Sequence, residues 1–538
     1  MMEHWVKQLI ILPIILPLLS GALLIFFSER RHKLKLSISL ISTLGTFCVA
    51  LCLLKLTDGE YWADGIGVYL AANWAAPFGI ALVADRLAVL MLLLAATFGL
   101  VILCYSGARW GRVGVHYYSL FQFLLMGLNG AFLTGDLFNL FVFFEVMLAA
   151  SYGLLLHGYN SNRIRAGMQY IVINLLCSFF FLIAAALVYA AVGTLNMADI
   201  AARLPEITAE NRQLLELGAA ILAVTFLTKS AIWPLCFWLP TTYSAASPPV
   251  AAMLVLVTKV GIYSVLRLWN LVFSDGAGTS ENFGETVLLW GGIITIAFGL
   301  IGLFASQELG RIAGFSAIVS SGTLLAALSF GQMSVTSAAL FYLLSSTLAL
   351  GAFMLLIELI ERIRNPAAAM LALTMEAFAI EDEPEESAGV AIPAAMAFLG
   401  LAFVGCALVM VGLPPLSGFM AKFGLFHAML AGYTDNPFGY SGWTLVVLVV
   451  LSGLAGIIAL MRFGVRTFWA SENAIAPRLR FIEAAPILFF LGLCVLMTLQ
   501  AGPLTRYLDR TATSLHTPQM YMHRVLSQDA VPAPGAKP

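Results

Sequence analysis

The sequence predicts an all-α polytopic membrane protein of about fourteen transmembrane helices. Three observations predict it. Of 538 residues, 61% are apolar and only 11% charged. The mean hydropathy is +0.93. Apolar stretches of bilayer length recur along almost the whole chain. Soluble domains typically carry roughly 25% charged residues, and about 20 apolar residues in a helix cross a bilayer. The net charge of −1 gives no basic field for nucleic acid. Cysteines 48, 52, 104, 177, 236, 406 and 494 fall almost all inside apolar runs, with no CxxC and no Cys/His cluster. Neither a disulfide framework nor a metal site is implied, and no cofactor is expected. Cys48 and Cys52 share a helix face, which reads as packing.

The first stretch, QLIILPIILPLLSGALLIFF, precedes its positive cluster ERRHKLK, the reverse of a signal peptide. It reads as a first transmembrane helix. Apolar windows then lie near 8–27, 35–55, 82–105, 115–134, 137–157, 166–193, 214–240, 250–270, 286–305, 311–330, 335–360, 392–430, 441–464 and 484–501. Two windows are longer than one bilayer needs and hold prolines: Pro234 in 214–240, and Pro414 and Pro415 in 392–430. Both are read as broken helices.

The windows divide the chain into N-terminal helices (1–114), a first five-helix repeat (115–270), a ninth helix with its loops (271–310) and a second repeat region (311–465, completed by the ninth helix). A last helix (466–510) and a polar tail expected to be flexible (511–538) follow. An odd number of helices per repeat makes the two copies inverted in the membrane, each with a broken helix, as in transporters whose discontinuous helices build a midplane site. With the N-terminus outside, inside loops hold fifteen Lys and Arg, against about ten in the outside loops and both tails. The positive-inside rule therefore places both termini outside. The inside segment 361–390 ends in six acids between Glu376 and Glu386. It reads either as a solvated linker or as a lateral helix docking on a neighbouring subunit.

Four ionisable residues fall near the middle of spans: Glu145 in the fifth, Lys229 in the seventh, Lys259 in the eighth and Lys422 in the twelfth. A central charge facing lipid costs about 2.5–3.5 kcal/mol on insertion scales. Four of them would approach a whole domain's stability, about 5–15 kcal/mol. They must face the bundle interior, pair, or touch water. Lys229 lies five residues before Pro234 and Lys422 seven after Pro415. A proline opens the helix ladder, and freed carbonyls at membrane depth are tolerated only inside protein or along water. Three lysines against one glutamate favour a proton path over purely structural ion pairs. Glu145 is the expected partner of Lys229. His427, on the half-helix of Lys422, is a candidate outward carrier, although a lone histidine is more often a packed polar residue. Asp136 and Asn139, at the outer end of the fifth span, line an entrance or, more simply, cap the helix.

The segments DLFNLFVFFEVML, TKSAIWPLCFWLPTTYSAASPPVAA, VTKVGIYSVLR and GLPPLSGFMAKFGLF together resemble the proton-translocating membrane subunits shared by respiratory complex I and the Mrp-type multisubunit cation/proton antiporters. The resemblance runs from about residue 80 to 465, and length and helix plan are most similar to the D-type members of the Mrp antiporters. It implies a polar axis through Glu145, Lys229, Lys259 and Lys422. Many such proteins also carry a histidine and a lysine in the eleventh helix; here FYLLSSTLALGAFMLL puts Ser345 and Leu350 in their place. The link from Lys259 to Lys422 is therefore expected to run through water, aided by Ser345, Ser346 or Thr347.

The resemblance implies a subunit that spends a proton gradient to expel Na+ or K+ across a bacterial inner membrane, in a hetero-oligomer with other Mrp subunits. It is a transporter subunit, not an enzyme. The alternatives are the same proton module in a complex I-like or hydrogenase-type redox complex, and a scaffold subunit whose charges only hold helices. No carboxylate cage for sodium is visible.

Overall fold

The structure is a computed structural model describing residues 6–59, 61–158, 160–274, 276–364, 392–431, 439–469 and 479–528. The acidic segment lies, from 365 to 391, outside the described residues.

Nearly all of the described chain is helical. The first half holds α1 (Leu12–Ile25), α2 (His32–Asp58), α3 (Arg86–Ala108), α4 (Tyr117–Leu133), α5 (Leu137–Leu155) and α6 (Ser161–Val192). A short α7 (Met197–Arg203) leads to the two halves of a broken helix, α8 (Ala209–Lys229) and α9 (Trp238–Ala245). Then come α10 (Pro248–Val272), α11 (Glu285–Ala305), α12 (Leu309–Leu328) and α13 (Met333–Arg364). The second broken helix is α14 (Ile392–Val411) with α15 (Ser417–Ala431), followed by α16 (Gly439–Gly464), α17 (Phe481–Leu499), α18 (Ala501–Leu515) and α19 (Pro518–Leu526).

Among the described residues, ten helices are long and apolar enough to cross a membrane: α2, α3, α5, α6, α10, α11, α12, α13, α16 and α17. The other four windows hold α1, α4, α8 with α9, and α14 with α15.

The layering follows burial. Every residue in the apolar window of α10 is buried, and 94% of that of α13, against 28% for α2 and 33% for α17. An apolar helix buried all round belongs at the centre. The helix carrying Lys259 is thus the axle, packed against α3, α8, α12 and α13. Polar glue holds the N-terminal helices: the Gln122 amide donates to the Ser39 carbonyl and to Thr43 (both 3.1 Å), and its oxygen accepts from Ser20 at 3.2 Å. With no water to compete, such bonds hold apolar helices together.

Two elements depart from the expectation. The loop after α2 contains an antiparallel hairpin, β1 (Gly67–Leu70) with β2 (Ala81–Ala84), pairing Gly67 with Ala84 and Leu70 with Ala81. The residues from 511, expected to be a flexible tail, are helical as far as Leu526. Their polar composition reflects amphipathic helices at the bundle end, not disorder. Tyr507 donates to the Arg86 carbonyl (2.9 Å), Ser337 donates to Asp509 (2.6 Å) and Arg510 pairs with Asp58 (2.8 Å). The buried pair Arg267–Asp85, bidentate at 2.6 Å, lies under the Tyr521 ring from α19. At the opposite end Glu358 accepts from Tyr105 (2.7 Å), Trp110 (2.8 Å) and Arg362 (2.7 Å), and Arg362 also holds Glu483.

Candidate proton path

The two breaks are built alike. At the first, Ala231 has φ of +55° and the Ile232 amide reaches back to the Leu227 carbonyl at 3.0 Å. At the second, Gly412 has φ of +84° and the Leu413 amide reaches the Leu408 carbonyl at 2.9 Å. A left-handed residue followed by this long backward bond is the Schellman ending of a helix. In each break a proline with a cis peptide bond, Pro234 or Pro415, follows three residues after the left-handed residue. The repeat reading expects such a correspondence. The lysines, however, stand on opposite sides of their breaks: Lys229 in the last turn of α8, Lys422 in the second half-helix α15.

Glu145 is half-buried on α5, and Ser178 of α6 donates a hydrogen bond to its carboxylate. Lys229 is buried, and its ammonium has no hydrogen-bond partner among the described residues. It stands 5.0 Å from the centre of the Phe144 ring, within the range of a cation–π contact. Phe144, Phe181 and Phe226 pack edge to face around that point. No ion pair joins Glu145 to Lys229 among the described residues. A buried ammonium without a hydrogen bond is costly, so this lysine is poised to respond to whatever approaches it.

Lys259 is fully buried and donates to Ser320 of α12 at 2.9 Å. Gly261 brings the end of α8 onto the same helix: a Cβ there would lie 2.8 Å from the Phe226 carbonyl and 2.9 Å from the Ser230 amide. A glycine at this crossing seats the Lys229 break against the Lys259 helix. Lys422 reaches back across its own break to donate to the Val411 carbonyl at 2.6 Å. That carbonyl belongs to the C-terminus of α14, where unsatisfied carbonyls favour a cation.

The secondary candidates separate. Ser345 shares a hydrogen bond with Ser417 of α15 (2.8 Å), and Ser346 accepts from Ser320 (3.0 Å). Thr347 instead donates to its own helix at the Leu343 carbonyl (2.5 Å). His427 is exposed and stacks on Phe423 with ring centres 6.3 Å apart; five residues on, it faces well away from Lys422. Asp136 caps α5 by accepting the Asn139 amide at 2.8 Å, and Asn139 donates to Thr134 at 3.0 Å. Sequence reasoning missed Ser178, Phe144 and Ser320. The only signal was hydroxyls in otherwise apolar windows, as in NLLCSFFF and SAIVSSGT.

Ten apolar helices of membrane-crossing length among the described residues and two matched helix breaks, with Lys229 and Lys259 buried and Lys422 half-buried near them, define a polytopic membrane protein built around discontinuous helices. Residues 134–455 match the family model described as NADH:quinone oxidoreductase/Mrp antiporter, TM, and the chain belongs to this family. It is 53% identical over 536 residues to a probable D-type K(+)/H(+) antiporter subunit of Rhizobium meliloti (strain 1021), covering 98% of this chain and 99% of that protein. It is 32% identical to a D-type Na(+)/H(+) antiporter subunit of Alkalihalophilus pseudofirmus, covering 97% of this chain and 100% of that one. Among solved structures, a chain of the Mrp complex from Dietzia sp. DQ12-45-1b superposes with a TM-score of 0.80 at 24% identity, over 96% of this chain and 99% of that one. A chain of respiratory complex I from Thermus thermophilus gives 0.71 at 21% identity, over 97% and 99%. These two likenesses establish the fold.

Proposed function

We propose that this chain is the proton-translocating subunit of a multisubunit monovalent cation/proton antiporter in a bacterial inner membrane, with both termini on the outer side. It works with other antiporter subunits as a transporter rather than as an enzyme, admitting external protons while Na+ or K+ leaves the cytoplasm. The carrying observation is the separation of Glu145 and Lys229. The carboxylate is held by Ser178, and the ammonium, with no hydrogen-bond partner among the described residues, stands over the Phe144 ring. Closing that gap would stabilise the charged lysine, and opening it would release a proton toward Lys259. One charge moved through 100 mV is worth about 2.3 kcal/mol, comparable with a change of one to two pKa units in a single group, at about 1.4 kcal/mol per unit.

The test uses the complete multisubunit complex in an antiporter-deficient host. Everted vesicles are energised and the internal pH followed after adding Na+ or K+. The expected result is cation-driven proton release that Glu145→Gln abolishes while the assembled complex remains in the membrane. Transport surviving Glu145→Gln would reduce the glutamate to a helix pin. A wild type that ignores both cations would put the redox-complex reading in its place.

A further inference from the structure

The first break is held from outside its own helix. Ala231 keeps a left-handed φ of +55°, a conformation that is unfavourable for an alanine and lasts only where the surroundings fix it. Two side chains do so. Before the break, the buried Trp238 indole of α9 donates to the Thr228 carbonyl at 3.2 Å, one residue ahead of Lys229. After it, the Trp233 amide donates to the Thr295 hydroxyl of α11 at 2.9 Å. In an unbroken helix that amide would return four residues to the Lys229 carbonyl. Thr295 therefore stands in for the backbone of Lys229 as the acceptor. Its own proton goes to the Gly291 carbonyl at 2.6 Å, which leaves the hydroxyl oxygen to receive the amide. Thr295 is fully buried, and the helix that carries it is fixed. A Cβ added at Gly292 of α11 would come within 2.7 Å of the Gly322 carbonyl oxygen of α12, and one at Gly322 within 3.0 Å of Thr295 Cβ. Small residues at such a seam let two helices lock backbone to backbone. The same α12 carries Ser320, the acceptor of Lys259.

We infer that Thr295 is a positioning residue for Lys229: by holding the Trp233 amide on α11, it fixes the end of α8 in the orientation that keeps the ammonium over the Phe144 ring. This rests on the proposed antiporter reading and adds to it a residue of a helix that carries none of the four intramembrane charges. Thr295 passes no proton itself and acts through the backbone. A buried amide left without an acceptor is costly. With the hydroxyl gone, the Trp233 amide must turn to another oxygen, and the one its own chain offers is the Lys229 carbonyl. Either that turn or a loosened break moves the lysine. The simpler account, a hydroxyl that only satisfies a stray donor, predicts less complex in the membrane but an unchanged rate per assembled complex.

The experiment again uses the whole complex in everted vesicles, with cation-driven proton release expressed per assembled complex. Thr295→Val keeps the shape and removes the acceptor. It should lower the rate by about tenfold or more, as small displacements of a reacting group do. Thr295→Ser restores the acceptor and should stay near wild type. Thr46→Val is the control and should also stay near wild type: Thr46 is buried in α2 and donates to its own helix at the Ser42 carbonyl (3.0 Å). Full rates in Thr295→Val, or a loss in Thr295→Ser as deep as in Thr295→Val, would overturn the inference. A simultaneous loss in Glu145→Gln would then leave the antiporter reading standing. Should Thr295→Val fail to assemble, Thr295→Cys decides. It differs from Thr295→Ser only in offering sulfur, a weak acceptor, in place of oxygen. It should run about threefold or more below Thr295→Ser, the order of one neutral hydrogen bond, and equal rates in the two would overturn the inference. A wild type that ignores both cations would overturn the antiporter reading and this inference together.

Discussion

The ammonium of Lys229 stands 5.0 Å from the ring centre of Phe144, the residue next to Glu145, and not in an ion pair with Glu145 itself. Ser178 takes the carboxylate instead. The pair expected from the sequence is thus present in an open arrangement, with a serine and a phenylalanine as the groups that keep it open.

Ser178→Ala should therefore change the pair without removing either charge. A hydrogen bond to a charged group is worth about 1.5–3 kcal/mol. Without this donor the carboxylate loses the contact that holds it on α6, so the initial rate of cation-driven proton release should change by about tenfold, at about 1.4 kcal/mol per tenfold. Unchanged rates in vesicles would show that Ser178 only packs α6 against α5.

Charge-neutral replacement separates a proton path from a scaffold. Glu145→Gln with Lys229→Met removes both charges and keeps the approximate volumes. Replacing a buried charged set by neutral groups is often neutral for stability or stabilising, so the complex should assemble and melt no lower than wild type. Antiport should nevertheless be lost. Retained transport in the double variant would assign both residues to holding helices.

Much of this was legible in the sequence, and the residues show why. Each intramembrane charge is an expensive exception in an apolar run, so Glu145, Lys229, Lys259 and Lys422 announce themselves. Pro234 and Pro415 mark the breaks by the donor they lack. What the sequence hid is relational. Ser178 and Ser320 look like other helix hydroxyls until the fold sets them against Glu145 and Lys259. His427 shares a helix with Lys422, but its angular position points it outward. The tail from 511 misled because amphipathic helices at a bundle end are as polar in composition as an unfolded segment. Its apolar side, with Leu515, Tyr521 and Val525 buried, is evident only once α18 and α19 are docked.

The ends of the bundle carry their own electrostatics. In the loop between α1 and α2, burial pushes the Glu29 carboxyl up, but the Lys35 ammonium at 2.7 Å and the His116 amide outweigh it and hold the carboxyl below its ordinary value. A lowered carboxyl stabilises the fold above its unfolded value and loses that contribution as pH falls through the lower folded value. Protection of the amides of residues 26–31 against exchange in the assembled complex, relative to their intrinsic rates, should accordingly fall below about pH 4.3, the ordinary glutamate value. In Glu29→Gln that protection should already be low at pH 7. Equal exchange in the two proteins at pH 7 would show that the loop is held by other contacts.

Asp85→Asn at the other end leaves Arg267 buried under Tyr521 without its bidentate partner. Breaking one side of a buried pair typically costs about 3–5 kcal/mol, so the melting temperature of the purified complex should fall. Asp85→Leu with Arg267→Met should recover most of that loss. A double variant as unstable as the single one would mean that Arg267 is needed for the cation–π contact with Tyr521 and Tyr263 rather than for its charge partner.

Gly412 ties backbone to chemistry most directly. Its φ of +84° is one that a side chain disfavours by about 1–2 kcal/mol. An added Cβ would also lie 2.7 Å from Lys422 Cδ, on the stem that carries the ammonium to the Val411 carbonyl. Gly412→Ala should thus strain the break and push Lys422 off its acceptor. Gly400→Ala is the matched control: Gly400 lies in α14, and a Cβ there meets nothing within 4 Å. The expected outcome is wild-type antiport in Gly400→Ala and a loss of about tenfold or more in Gly412→Ala, since small displacements of a reacting group carry costs of that order. A Gly412→Ala complex with full activity would mean that Lys422 works without its hold on Val411, and that the bond seen here is only a resting contact.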